Sequence, residues 1–338
     1  MKLEGAERDQ TFTLVDAHCH WSTQHKECSA NVTDIQWQPQ LQGLEFNTIT
    51  KRCVMSTNQW DWLSVKKLAE FDDEQFKIAF GIHPWYSHLF STGSEYSTTL
   101  ENKRNHYQNV LQYKSSQQEE FDCLIETLPH PLNVYDYIDS HFNKELVSCI
   151  GEIGLDKIFR LPRNGYYTSS SEPQQLSNIR VKMDHQLKIL NILLDLSIKY
   201  SLPISVHDVK THGVIFDVLK SRILSQQHIM ICLHSFTGTA EFLKGNYLRV
   251  FGQERIFISF SKWINLDKNL NVFQEILKVL PKRCILTETD YTIDTNDRQQ
   301  LARDLLYVNE QLKIYLDLES LEDITNLVKT NYIAFLSI

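Results

Sequence analysis

A chain of 338 residues carrying 34 Lys and Arg against 42 Asp and Glu has a formal net charge of −8, which excludes a general basic coat for nucleic acid. That balance leaves open an enzyme that grips a phosphodiester through metal ions. The 42% hydrophobic content is ordinary for a globule with a real core.

In chain order, Met1 to Asp9 is charged and lacks an apolar centre, so no secretory leader is expected. Thr11 to Val15 is the first strand-like run and ends in Asp16-Ala17-His18-Cys19-His20. Side chains two apart on a strand point the same way, so His18 and His20 can meet one ion while Cys19 turns away into packing. A second run, Ile49 to Ser56, ends in Thr57-Asn58, and a third, Phe76 to Ile82, in His83-Pro84-Trp85. The fourth, Leu146 to Ile150, leads into Gly151-Glu152-Ile153-Gly154-Leu155-Asp156. Arg180 to Tyr200 has helical periodicity, with Val181, Leu187, Leu190, Leu194 and Ile198 on one face.

The fifth run, Pro203 to Val206, ends at His207-Asp208, and a helix is expected over Gly213 to Leu224. The sixth, His228 to Leu233, ends at His234-Ser235, and the seventh, Arg255 to Phe260, at Ser261-Lys262. A helix over Asn269 to Leu280 precedes the eighth, Cys284 to Thr287, which ends at Glu288-Thr289-Asp290. Helices over Arg298 to Tyr315 and Leu321 to Phe335 complete the chain. Eight strands alternating with helices predict an α/β fold, a (β/α)8 TIM barrel with its active site at the C-terminal strand ends.

No repeat or composition break divides the sequence, so residues 1–338 read as one barrel domain with insertions at about 87–145 and 157–178. Both insertions follow strands that bear site residues and are expected to rise around the pocket mouth. Their polar tips, Lys114 to Glu120 and Thr168 to Ser171, read as disordered surface. No apolar run reaches membrane-spanning length, and even Ile189 to Leu196 is broken by Asn191 and Asp195. The seven cysteines are scattered without a CxxC pair, which predicts reduced thiols and a cytoplasmic or nuclear address.

Collected by strand, the candidate metal ligands are His18, His20, Glu152, His207, His234 and Asp290. Six exceed what one catalytic ion requires. Two divalent ions use them economically: His18, His20 and Asp290 on the first, His207 and His234 on the second, and Glu152 between. Such a pair of Mg, Mn or Zn ions suits in-line displacement at phosphorus. Each residue has a structural alternative: a packed histidine, a buried salt-bridge partner for Glu152, a helix N-cap for Asp290. Repeated placement at strand ends is what favours the metal reading. Asp16 and Glu288, each two residues before a proposed ligand, are expected to stand behind it and fix a histidine tautomer, or else to form a buried ion pair.

Asp16-Ala17-His18-Cys19-His20, Gly81-Ile82-His83-Pro84, Gly151-Glu152-Ile153-Gly154-Leu155-Asp156, Pro203-Ile204-Ser205-Val206-His207, His234-Ser235-Phe236-Thr237-Gly238, Glu288-Thr289-Asp290 and Asn331-Tyr332-Ile333-Ala334-Phe335 together resemble the ordered motifs of the TatD family of metal-dependent hydrolases. The resemblance spans residues 11 to 336 apart from the two insertions, which resemble those of fungal members. It implies the amidohydrolase-like barrel and a divalent-metal phosphodiesterase, often a deoxyribonuclease with exonuclease character. Its metal ligands fall on the same six residues, with Glu152 and Asp290 also in the catalytic group. Its GIHP histidine falls on His83, implied to touch substrate phosphate or the reacting water; the alternative is a turn residue fixed by Pro84. The pattern departs at Asp208-Val209-Lys210 and at Tyr291-Thr292, changes that bear on substrate preference.

The expected substrate is DNA or another phosphodiester, with no membrane and no protein partner specified. An amidohydrolase acting on C–N or ester bonds is the alternative enzyme, although many of those bridge their ions with a carboxylated lysine where this chain has Glu152. The non-enzymatic alternative is a catalytically weak interaction scaffold.

Overall fold

A computed structural model describes residues 11–23, 47–93, 99–168 and 173–337. The charged Met1 to Asp9 segment and the Ser169 to Ser171 tip therefore lie outside the described residues. Eight strands form one parallel sheet in sequence order: β1 (Thr11–His20), β2 (Asn47–Met55), β3 (Phe76–Phe80), β4 (Val147–Asp156), β5 (Ile204–Val209), β6 (Ile231–His234), β7 (Ile256–Ser261) and β8 (Ile285–Glu288). The sheet curls so that its ends meet. Thr287 Oγ1 donates to Val15 O at 2.6 Å, and Asp290 N donates to His18 O at 3.0 Å. This nearly closed parallel barrel is the predicted (β/α)8 class.

The strands are apolar on both faces because helices cover the outside and packed side chains fill the inside. β7 is buried along its whole length. Helices Arg298–Tyr315 and Leu321–Leu336 match the periodicity closely, and the latter begins with a capping box of Ser320 and Asp323. Helix Met183–Tyr200 starts later than predicted, because Arg180–Val181 pairs antiparallel with Leu111–Gln112. Its covered face is Gln186, Ile189, Leu190, Leu193, Leu194 and Ser197, so Val181 belongs to that ribbon instead.

The first insertion departs further from expectation. It contains helices Leu100–Val110, Gln118–Thr127 and Val134–His141, whose Tyr107, Phe121, Leu124 and Tyr137 are buried in the same apolar cluster as the barrel strands. The polar run Lys114 to Glu120, read as disordered, is a 3-10 turn over Ser115–Gln117 leading into a helix. Polar composition reflects one solvated face there; Phe121, Leu124 and Ile125 supply the buried one.

Candidate metal centre

The C-terminal ends of β1, β4, β5 and β6 and the turn after β8 bring all six proposed ligands together. Glu152 is their centre, buried on β4, and its two carboxylate oxygens face different partners. Oε2 lies 3.4 Å from His18 Nε2 and 3.5 Å from His20 Nε2. Oε1 lies 2.7 Å from His207 Nδ1, 2.8 Å from His234 Nε2 and 3.2 Å from His83 Nε2. Asp290 Oδ1 completes the first side, 3.3 Å from His20 Nε2 and 3.9 Å from His18 Nε2. With its side chain 27% exposed, Asp290 marks the open end, whereas His18 is fully buried.

Two glycines make this convergence possible. A Cβ on Gly81 would fall 2.4 Å from Gly151 C and 2.6 Å from Glu152 N, so the strand before His83 can approach Glu152 only without one. Gly154 has φ +153, and a Cβ there would stand 1.9 Å from His207 O. At the opposite side, Asp290 adopts a left-handed conformation, φ 59, which Asp tolerates better than most residues. Its N–H, bonded to His18 O, holds that turn across the barrel seam.

The electrostatics follow from burial and crowding. Burial by itself would raise the Glu152 carboxyl, but His83, His234 and His18 around it hold it well below the usual carboxylate range. Burial likewise works against a charged His207, yet Asp156 and Glu152 on its two nitrogens bring it up to about 9. His83 goes the other way: burial takes it down to about 4.

The arrangement fits a divalent cation. His18 Nε2, the nitrogen that faces Glu152 and Asp290, is buried without a hydrogen-bond partner among the described residues. His207 Nδ1 also sits 3.1 Å from His83 Nε2 and 3.3 Å from His234 Nε2, nitrogens that gain little from one another. Three groups offer ligand atoms within 4.8 Å of one another: His18, His20 and Asp290; His18, Glu152 and His234; His83, Glu152 and His207. Imidazole and carboxylate donors of this kind suit zinc or a harder ion such as manganese.

His83 is thus closer to Glu152 and His207 than its expected place outside the ligand set required. Trp85 N donates to His83 Nδ1 at 3.1 Å, which puts the imidazole hydrogen on Nε2. With that tautomer Nε2 is a donor aimed into the site and has no lone pair for a metal.

Behind the site the two expected supports differ. Asp16 accepts from Thr289 N at 2.8 Å and Thr289 Oγ1 at 2.7 Å and takes no histidine; burial raises its carboxyl to about 7. The reason is a register irregularity in β1 between Asp16 and Cys19, which interrupts the alternation that would align Asp16 with His18. Glu288 Oε1 stands 3.7 Å from His234 Nδ1, the nitrogen turned away from Glu152, at ion-pair range, and the carboxylate also accepts from Ser235 and Ser259.

Two supports were missed. Ser205 Oγ bonds His18 Nδ1 at 2.9 Å, and Asp156 Oδ2 lies 3.5 Å from His207 Nε2 while accepting from Trp85 Nε1 at 2.8 Å. Both had a sequence signal. Ser205 precedes His207 by two on β5, and Asp156 ends the Gly151-to-Asp156 motif. Cys19, as expected, packs away from the ligands, with its Sγ donating to Cys53 O.

Comparisons with known proteins came to the same chemistry. The profile of the family described as TatD related DNase matches residues 15–337. A Saccharomyces cerevisiae protein named an uncharacterized deoxyribonuclease is 44% identical over 304 residues, covering 88% of this chain and 91% of its own. A Schizosaccharomyces pombe protein named a Cut9-interacting protein is 28% identical, covering 96% of this chain and 99% of its own. Among solved structures, a TatD homologue from Escherichia coli superposes with a TM-score of 0.54 at 18% identity, covering 96% of this chain and 98% of its own. A TatD-family hydrolase from Entamoeba histolytica gives 0.52 at 15% identity, covering 95% and 96%. The two structures share the fold.

Proposed function

This chain belongs to the TatD-related DNase family of metal-dependent hydrolases, and from that premise we propose a two-ion phosphodiesterase that acts on DNA. The observation that carries the two-ion reading is the division of Glu152, with one oxygen facing His18 and His20 and the other facing His207 and His234. His18, His20 and Asp290 would hold the first ion, His207 and His234 the second, and Glu152 both. Bound there, Mg, Mn or Zn would polarise the phosphoryl oxygen and make water nucleophilic at neutral pH.

The protein groups have separable tasks. Glu152 stays ionised and its negative charge offsets repulsion between two cations. Asp156 and Ser205 orient His207 and His18 so that the nitrogens turned to Glu152 carry lone pairs. His83, kept neutral by burial and by the Trp85 N–H, donates from Nε2 to a non-bridging phosphate oxygen. Asp290, ionised and reachable from solvent, accepts the proton of the attacking water.

The test is a panel of single-stranded DNA, duplex DNA, RNA, small phosphodiesters and amides with Mg, Mn and Zn. Phosphodiester cleavage that needs added metal is the expected result. Cleavage of amides alone would replace this reading with the C–N hydrolase alternative. His83→Ala is expected to keep its metal content and lose ~10²–10⁴-fold in rate. Loss of metal in that variant would make His83 a ligand.

All six described cysteines are free, which supports the cytoplasmic or nuclear address. Among the described residues no helix is long and apolar enough to cross a membrane. The fission-yeast relative's name leaves room for a protein partner, whose identity the site does not specify.

A further inference from the structure

The second insertion begins at Asp156, the residue that touches both His207 and the Trp85 indole. Asp156 Oδ1 accepts from Ile158 N at 2.8 Å and Phe159 N at 2.9 Å, fixing the first turn of the arm against the site. Phe159 then stacks on Trp85, with ring centroids 4.5 Å apart and planes 10° from parallel. Tyr167 meets Trp85 from the side at 5.4 Å. Trp85 itself lies 4.9 Å from the His83 ring and 6.3 Å from the His207 ring. A row of aromatic rings thus runs outward from the two site histidines.

The row is anchored and its outer end is open. Tyr86 Oη donates to Tyr167 O at 3.1 Å, His88 Nε2 donates to Gly165 O at 2.8 Å, and Tyr166 packs on Trp60 with centroids 4.7 Å apart. Tyr167 nevertheless remains 37% exposed and the adjoining Ile158 53% exposed. Charge singles out the same segment. Residues 157–180 carry Lys157, Arg160, Arg163 and Arg180 against Glu172 alone, in a chain whose net charge is −8. An exposed ring backed by half-buried ones, on a segment of basic sequence, is suited to the bases and phosphates of an unpaired strand.

We propose that Phe159 and Tyr167, with Trp85 behind them, form a stacking subsite for an unpaired nucleobase next to the phosphate under attack, and that the basic arm holds the adjoining phosphates. The proposal rests on the phosphodiesterase reading and adds the part of the substrate that the site grips. A duplex end presents such a base only after its terminal pair opens, so the subsite favours single strands and frayed ends.

The test uses the full chain stripped of metal with a chelator, so that binding is read without turnover. A trinucleotide with 2-aminopurine between two thymidines should lose fluorescence on binding, because stacking quenches the base. Tyr167→Ala should weaken that binding about tenfold, whereas Tyr167→Phe should keep it. The same trinucleotide with an abasic middle position should compete about tenfold more weakly for the wild type. Absence of quenching, an unchanged Tyr167→Ala, or an abasic competitor as good as the parent would each overturn the subsite. Hydrolysis of bis(p-nitrophenyl) phosphate by metal-loaded wild type separates the two levels. Hydrolysis together with any of those failures removes the subsite alone. No hydrolysis with any divalent metal removes the phosphodiesterase reading and this proposal with it.

Discussion

Ser205→Ala deletes one oxygen from the floor of the site and tests whether His18 is a metal ligand. His18 Nδ1 lies 2.9 Å from Ser205 Oγ, and both residues are fully buried, so no solvent can replace the lost partner. When His18 offers Nε2 to a cation, its hydrogen must sit on Nδ1 and point at that oxygen. Without the serine the N–H is stranded, at a cost of about 1–3 kcal/mol. In the metal-free protein the hydrogen can move to Nε2, which faces Glu152 Oε2 at 3.4 Å, so most of the penalty falls on the loaded state. Metal affinity should therefore drop by about 10–100-fold, the range found when such supporting partners are removed. Stability in chelator should change far less. Calorimetric titration of stripped protein with Mn or Zn, paired with thermal unfolding in chelator, reads both quantities. Unchanged affinity would show that Nδ1 of His18 is not committed by metal binding, and the assignment of His18 would fall.

Glu152→Gln should lower metal content and phosphodiester turnover together while the circular dichroism spectrum persists; near-normal metal content by elemental analysis would remove its bridging role. Gly154→Ala should fold poorly. Its new methyl would sit 1.9 Å from His207 O, and only separation of β4 from β5 relieves that, so soluble wild-type-like yield would contradict the packing. Acid should destabilise the protein through His88 and His185, which donate Nε2–H to the carbonyls of Gly165 and Ser87 and which burial pushes down to about 3 and about 4. Their folded values lie below the ordinary 6.5, so the unfolded chain binds protons first. Stability is full above pH 6.5 and falls towards pH 4, by up to ~1.4 kcal/mol per pH unit for each histidine. Asp16, raised to about 7 by burial, acts in the opposite sense over this window, so the check is urea unfolding at pH 7 and pH 5 of chelated wild type beside His185→Gln, and an identical midpoint shift in the two would refute it.

The barrel and the six converging residues were legible because both depend on local periodicity. Alternation within a strand puts His18 and His20 on one side, and a polar residue at the end of an apolar run marks a strand terminus in any parallel barrel. Terminal helices with clear caps, such as Leu321–Leu336, were readable for the same reason. What lay beyond local pattern came from contacts across the fold. The irregularity in β1 that diverts Asp16 to Thr289 depends on pairing with β2, some thirty-five residues away. The tautomer of His83 is set by a Trp85 N–H whose direction exists only once the turn after β3 is formed. Ser205 and Asp156 look like ordinary strand residues until barrel closure brings Ser205 on β5 to His18 on β1 and the pairing of β4 with β5 brings Asp156 to His207. The insertion helices escaped because half their surface is polar and their apolar half is defined by the barrel they cover. Sequence determined which residues stand at the strand ends, because alternation acts over two or three neighbours. Tertiary packing decided which partner each one meets, because a hydrogen bond depends on the separation and direction of groups the chain brings together only when it closes.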